Sequence, residues 1–311
     1  MKQDKILIIG TGAIGGFYGA LLAKAGAEVS VVCRSDYDTV KKQGYSIESN
    51  DLGNWTFMPT QIVKSAANYK GEADYVILCT KITPDCDRVK LIQNAVTKNT
   101  CIVFIQNGVE VEQELVDAFP DNEVISGLAF MCCNKVKPAV IHHIAYGKLT
   151  LGSLNKTLVQ TNRAQHLCDL IIQAGMESIV ADDIVSSRWL KCLWNAAFNP
   201  LSILSDGLST QDILNTQEQL ICTIMQEVIF IAEACGHSLP EDSIDFNIKN
   251  TYAMPPYKTS MLLDYERGQP MEIEAILGNT IRAAKREQVA CPTLDTIYAL
   301  MKLKMLKLKH E

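Results

Sequence analysis

No two cysteines of this chain stand in C-x-x-C spacing, although eleven are scattered through its 311 residues. An odd, dispersed set of thiols points to reduced cysteines in a reducing compartment, not to a disulfide framework. Cys132-Cys133 is the sole adjacent pair, and neighbours on a strand face opposite sides. The five histidines offer no ligand spacing, and His142-His143 read as strand neighbours, so no metal is expected. No uncharged apolar stretch approaches the roughly 20 residues that span a bilayer. Positive charge is not in excess either: 29 Lys and Arg against 35 Asp and Glu leave a net charge of −6. Nucleic acid and anionic membrane are therefore not expected as partners. The C-terminal lysines (Lys302, Lys304, Lys307, Lys309) alternate with Met and Leu and read as the solvated face of a last helix. Ile6–Ile9 already behaves as a structural strand, which argues against a signal peptide and for a soluble, cytoplasmic protein.

What is present is enough chain for two domains, without internal repeats or low-complexity tracts. Up to about residue 183, short β-branched runs alternate with helical patterns, the signature of a parallel sheet flanked by helices. Strands are expected at Lys5–Ile9, Glu28–Cys33, Tyr75–Cys79, Cys101–Ile105 and Val124–Phe130, with helices at Ala13–Ala25, Cys86–Val96 and Glu110–Phe119. Val140–Ala145 and Lys148–Leu151 read as a hairpin turning at Tyr146-Gly147. Beyond residue 183 the pattern is helical: Ile184–Leu204, Thr216–Cys235, Ser243–Thr251, Glu272–Arg286 and Thr293–Leu308. Leu220, Ile221, Ile224, Val228, Ile231 and Ala232 form an apolar stripe at helical spacing, which is core packing. The expected fold is thus α/β: a Rossmann-type doubly wound sheet over 1–183 and an all-α domain over 184–311.

Gly10-Thr11-Gly12-Ala13-Ile14-Gly15 follows a strand and opens a helix, the context in which G-x-G-x-x-G binds a dinucleotide. Gly10 permits the tight turn, Gly12 lets the backbone approach a pyrophosphate, and Gly15 allows close helix–strand packing. The unpaired N–H groups of the helix N-terminus then face the phosphates. NAD enzymes place Asp or Glu at the end of the second strand to hold the ribose 2′-hydroxyl. Here that strand ends in Cys33-Arg34-Ser35. A guanidinium grips a 2′-phosphate with forked, charged hydrogen bonds, so NADP(H) is the expected cofactor. Asp36 next door is the one residue that could take the acid's role instead.

Open α/β sheets bind ligands at the carboxyl ends of their strands. Cys79-Thr80-Lys81 and Gln106-Asn107-Gly108 occupy two such ends, although either could be an ordinary strand-terminating turn. Lys191, Asn195 and Asn199 recur every four residues in the first helix of the second half, sharing one face with a drift of roughly 40° per step. Their neighbours Leu190, Leu193, Ala196 and Ala197 are apolar, and polar groups in such surroundings are costly unless satisfied by partners or a ligand. The alternative is a solvated stripe on an amphipathic helix.

Trp189-Leu190-Lys191-Cys192-Leu193-Trp194-Asn195, followed by Asn199-Pro200-Leu201-Ser202, resembles the central motif of ketopantoate reductases (2-dehydropantoate 2-reductases). So do Thr259-Ser260-Met261-Leu262-Leu263-Asp264, Arg267-Gly268 and Glu272-Ile273-Glu274, together with the N-terminal glycines, Arg34, Lys81 and Gln106-Asn107-Gly108. The resemblance covers nearly the whole chain in order and spacing. It implies that Lys191 is the catalytic lysine and Glu272 its paired glutamate. Asn107, Asn195, Asn199 and Ser260 would hold the substrate or complete the catalytic network, and Lys81 and Asn107 would lie by the nicotinamide. The implied reaction is hydride transfer from NADPH to the keto carbon of 2-dehydropantoate, giving pantoate for pantothenate and coenzyme A synthesis. A ketone that receives hydride becomes an alkoxide, which a cationic donor stabilises and protonates. Lys191 fits that role.

The chain departs from the family pattern at Ser209, where the best-known members carry another substrate-binding Asn. Met131-Cys132-Cys133-Asn134-Lys135 likewise replaces a small Thr- and Gly-rich stretch. These departures bear on which small 2-keto acid is bound. They leave room for a reductase of a different 2-keto acid, or an opine-type dehydrogenase, on the same fold. A non-catalytic NADP(H)-sensing protein would have lost the lysine or the glutamate. The helical half has apolar surface enough for a homodimer, though nothing in the pattern requires one.

Overall fold

A computed structural model describes residues 3–155, 162–254 and 258–310, with side chains through residue 306. The chain forms two compact units. Among the described residues the first holds a mixed sheet of ten strands: β1 (Lys5–Ile9), β2 (Glu28–Val32), β3 (Tyr45–Ser49), β4 (Gly53–Phe57), β5 (Ile62–Val63), β6 (Tyr75–Leu78), β7 (Cys101–Ile105), β8 (Val124–Lys137), β9 (Val140–Ser153) and β10 (Ser178–Val180). Their spatial order is β4-β3-β9-β8-β7-β6-β1-β2-β5, with β10 beside β9. β5, β2, β1, β6, β7 and β8 run parallel, and β9 returns antiparallel to β8. Ile6–Ile9 are all buried, so both faces of the sheet are covered at its centre, as parallel sheets require. The helices of this unit are α1 (Ala13–Lys24), α2 (Tyr37–Gln43), α3 (Arg88–Ile92), α4 (Gln113–Ala118) and α5 (Arg163–Gln173).

One expectation fails here. Val140–Ala145 and Lys148–Leu151 are a single strand, β9, and no turn occurs at Tyr146-Gly147. Both residues do have positive φ, 66° and 128°, but they form an irregularity opposite Met131 in the β8–β9 ladder. The reversal lies at Pro138-Ala139, where Ala139 takes φ 58°. The β3–β4 hairpin, α2, α5 and β10 were not anticipated, and the helices expected from Cys86 and Glu110 are shorter, as α3 and α4.

The second unit is helical: α6 (Ile184–Leu204), α7 (Thr210–Ala234), α8 (Ser243–Ala253), α9 (Ser260–Glu266), α10 (Asn279–Arg286) and α11 (Pro292–His310). Two short segments from early in the chain, Lys81–Asp85 and Asn107–Val111, belong to this unit. Its core is built from the apolar faces of α6 and α7, including Trp189, Leu193, Ala197, Ile221, Ile224 and Val228. The helix expected over Glu272–Arg286 opens instead with a π turn at Glu274–Gly278 before α10. Lys302 pairs with Glu274 at 2.9 Å and Lys304 with Asp206 at 2.7 Å, while the side chains of Lys307 and Lys309 lie outside the described residues. No described helix is long and apolar enough to cross a membrane.

Candidate active site

In the first unit, the three glycines between β1 and α1 do different jobs. Gly10 has φ +94°, and a Cβ there would lie 2.7 Å from the Thr80 backbone nitrogen. A Cβ on Gly15 would lie 2.3 Å from the Gly10 carbonyl oxygen. On Gly12 it would meet nothing within 4 Å, because this residue faces an open cleft of about 320 Å³. Gly12 also caps α1 without any side-chain hydrogen bond, and no acid stands in the first helical turn. The amide groups of that helix end are thus left to an anionic ligand. Gly10, Thr11 and Gly12 line the cleft; Ala13, Ile14 and Gly15 begin the helix behind it.

The same cleft is lined by four cations, Arg34, Lys64, Lys90 and Lys135, and by a single carboxylate, Asp36. Asp36 is buried and engaged: it accepts from Lys135 Nζ at 2.9 Å, the Ala139 N–H at 3.0 Å and Ser35 Oγ at 2.9 Å. Burial pushes its carboxyl up, but the bonds from Lys135, Ala139 and Ser35 outweigh that and hold it below the usual carboxylate range. The cleft therefore fits a polyanionic dinucleotide. Lys64 and Lys90 come from segments without a motif, and Lys135 figures in the sequence only within the departing segment Met131–Lys135, with no role toward the cofactor.

The polar cluster of the second unit is built on α6 and on the segment that leads into the π turn. Glu272 is partly buried and accepts from Asn107 Nδ2 at 3.0 Å and from the Ile82 N–H at 3.1 Å. Lys81 donates to the Pro270 carbonyl at 3.1 Å and pairs with Asp264 at 2.5 Å. Neither Lys81 nor Asn107 lines the dinucleotide cleft of the first unit; both are partners of the Glu272 segment. Asn107 is held in place by its neighbour. Gly108, at φ +102°, packs so tightly that a Cβ would stand 2.5 Å from the Ala275 carbonyl oxygen. Val109 donates its N–H to that carbonyl at 3.2 Å, and Asn279 donates to the Val109 carbonyl at 2.7 Å. The π turn at Glu274–Gly278 thus leaves the Ala275 carbonyl to an external donor, a use typical of such insertions at functional sites.

Lys191 lies partly buried on α6. Burial first, and then the nearby Arg188 guanidinium, hold its ammonium down to about 8, with Glu272 pulling weakly the other way. Arg188 is itself 1% exposed and donates to the Gly108 carbonyl at 3.1 Å. Burial holds Glu272 above the ordinary range against the opposing effects of Asn107, the Ile82 N–H and Lys81. These closer partners, not Lys191, are its main electrostatic neighbours. Asn195 is buried on the same face of α6, and Asn199 is 1% exposed with an Oδ1 that finds no hydrogen-bond donor. Leaving such an acceptor unsatisfied costs about 1–3 kcal/mol. Ser260 is exposed at the start of α9, whose cap Thr259 is tied to Ser202 of α6 at 2.7 Å. Ser209 caps α7 reciprocally with Asp212. Arg188 and Asp264 carry no role in the sequence pattern; Arg188 stands one helical turn before Lys191, which is the signal that points to it.

The family model described as ketopantoate reductase PanE/ApbA matches residues 6–156, and the model of its C-terminal part matches residues 183–305. The chain belongs to the ketopantoate reductase family. A crystal structure of 2-dehydropantoate 2-reductase from Methylococcus capsulatus is 53% identical, with a TM-score of 0.91 over 97% of both chains. A second, from Geobacter metallireducens, is 31% identical at a TM-score of 0.89, over 96% of this chain and 99% of the other. The curated 2-dehydropantoate 2-reductase of Nostoc sp. is 33% identical over 97% of this chain and 95% of the relative. As a ketopantoate reductase family member, the chain has the α/β fold expected of it, a Rossmann-type sheet followed by a helical domain.

Proposed function

We propose that the chain reduces 2-dehydropantoate (ketopantoate) to pantoate with NADPH, with Lys191 as the general acid, in cytoplasmic pantothenate and coenzyme A synthesis. The observation that carries this reading is the polar cluster of the second unit: Lys191 shares a face of α6 with the buried Asn195, Glu272 is held by Asn107 and Ile82, and burial with Arg188 holds the lysine's ammonium down to about 8. A donor with that pKa is charged at neutral pH, yet gives up its proton far more readily than an exposed lysine. NADPH, when bound, supplies the hydride. Lys191 stabilises the charge that develops on the keto oxygen and protonates it. Glu272, fixed by Asn107 and Ile82, orients the polar end of the substrate. Ser260, exposed at the N-terminus of α9, and Asn195, on the face of α6 that carries Lys191, hold the carboxylate and hydroxyl without adding charge. Asn199 acts from behind them. The cofactor choice is supported by the four cations of the cleft and by the engagement of Asp36. The substrate choice is supported by the 2-dehydropantoate 2-reductases to which the chain is similar over nearly its whole length.

The test is NADPH oxidation, followed by absorbance, with ketopantoate beside pyruvate and 2-ketoisovalerate and with Lys191→Ala as control. Turnover that prefers ketopantoate and collapses in the variant supports the reading. NADPH binding without ketopantoate reduction overturns the substrate assignment. Undiminished turnover by Lys191→Ala overturns the assignment of the acid.

A further inference from the structure

Asp36 stands just past the end of β2, where an acid ordinarily accepts from the ribose 2′-hydroxyl of NAD. It lines the cleft, is 5% exposed, and is the one carboxylate among the lining residues. Each of its oxygens already accepts at least one hydrogen bond. Oδ2 accepts from Lys135 Nζ at 2.9 Å and from the Ala139 N–H at 3.0 Å, and Oδ1 accepts from Ser35 Oγ at 2.9 Å. The two distant donors come from the end of β8 and from the β8–β9 reversal. The β8–β9 ladder breaks register between Lys135 and Lys137, and Ala139 adopts the left-handed conformation. Such an irregularity re-aims the side chain beside it. It brings the ammonium onto a carboxylate 99 residues away in sequence.

We propose that Lys135 is a positioning residue that masks Asp36 and thereby sets the preference for a 2′-phosphorylated dinucleotide over its unphosphorylated counterpart. This rests on the NADPH reading above and deepens it. With Lys135 in place, the carboxylate's charge is offset and three of its roughly four acceptor sites are filled. Arg34, Lys64 and Lys90 then face the 2′-phosphate without an opposing charge. Without Lys135, Asp36 repels the phosphate dianion and is free to accept from a 2′-hydroxyl. The discrimination is thus made by removing an acid from play as well as by adding cations.

Dissociation constants for NADPH and NADH, measured by fluorescence on the wild type and on Lys135→Met, Lys135→Arg, Asp36→Asn and the Asp36→Asn/Lys135→Met pair, test this. Lys135→Met weakens NADPH by about tenfold or more, the scale of one charge contact in a partly solvated cleft, and leaves NADH equal or tighter. Lys135→Arg stays near wild type, and adding Asp36→Asn to Lys135→Met restores NADPH binding. Equal weakening of both nucleotides by Lys135→Met means the clip only holds the β8–β9 reversal, and overturns the proposal. A double variant that stays weak for NADPH alone means Lys135 grips the phosphate directly, and overturns it as well. A wild type without preference for NADPH fails the underlying reading, a result separate from either of these.

Discussion

The two units of this chain hold their functional polar groups by opposite means. In the first, cations from four different segments line the cleft beside a backbone cradle of glycines, and the one acid among them is paired with a lysine. In the second, a lysine and a glutamate are placed where burial works against the charge of each. The difference follows from the tasks. A ligand that arrives already charged needs only accessible counter-charge and unpaired amides, which cost the fold little. A proton donor must have its pKa moved, and moving it by burial necessarily destabilises the folded chain.

That contrast makes its largest prediction at Lys191. Lys191→Met lowers kcat by about 10²–10⁴-fold, the usual worth of a general acid, while raising Tm at neutral pH. The sign follows from linkage. The ammonium titrates at its ordinary 10.5 in the unfolded chain and at about 8 in the folded one. Between those values the unfolded chain binds more protons, so wild-type stability rises with pH across that window, and the full penalty applies below it. Denaturant titrations from neutral to alkaline pH should show this slope in the wild type and not in Lys191→Met. Glu272 runs the other way. Its folded pKa is raised, so the stability lost to its ionisation grows as pH climbs through that pKa, and Glu272→Gln removes the loss. With Lys191 as the proposed acid, kcat/KM should fall as pH rises through about 8, where its ammonium loses the proton.

The next effect separates binding from folding within the first unit. Gly12→Val adds carbon where nothing lies within 4 Å, so Tm should stay near wild type while NADPH binding weakens by about tenfold or more. Gly15→Val forces atoms against the Gly10 carbonyl and lowers Tm by many degrees before binding can be asked about. Two equal changes three residues apart that behaved alike in melting experiments would refute the division of labour among these glycines.

Parts of both units were legible in the sequence, for a physical reason. β1 and β7 carry their bounds in short apolar runs rich in isoleucine and valine, and G-x-G-x-x-G dictates its own turn. α6 was equally plain because its apolar period holds over its whole length. What local pattern could not give was partnership across long sequence separation. Lys135 with Asp36, and Asn107 with Glu272, are joined by tertiary structure alone. Glu272 came only from the resemblance to ketopantoate reductases. Tyr146-Gly147 misled because a tyrosine–glycine pair reads as a turn, whereas pairing with the 14-residue β8 overrides it. The π turn has no sequence signature of its own; it follows from Gly108 and Val109 packing onto Ala275.

The smallest effect concerns Ser209, whose place in the family pattern suggested a contact with substrate. Its Oγ accepts from the Asp212 N–H at 3.2 Å, and Asp212 accepts from the Ser209 N–H at 3.3 Å, so the residue starts α7 with a reciprocal cap. Ser209→Ala should therefore cost about 1 kcal/mol of stability. Ser209→Asn keeps a good capping side chain and should cost almost nothing by the same measure. Steady-state kinetics on the pair then sorts cap from contact. If KM for the keto acid is unchanged in both variants, Ser209 acts on the helix alone. If Ser209→Asn lowers KM while Ser209→Ala raises it, the side chain reaches the substrate as well, and the cap is what aims it.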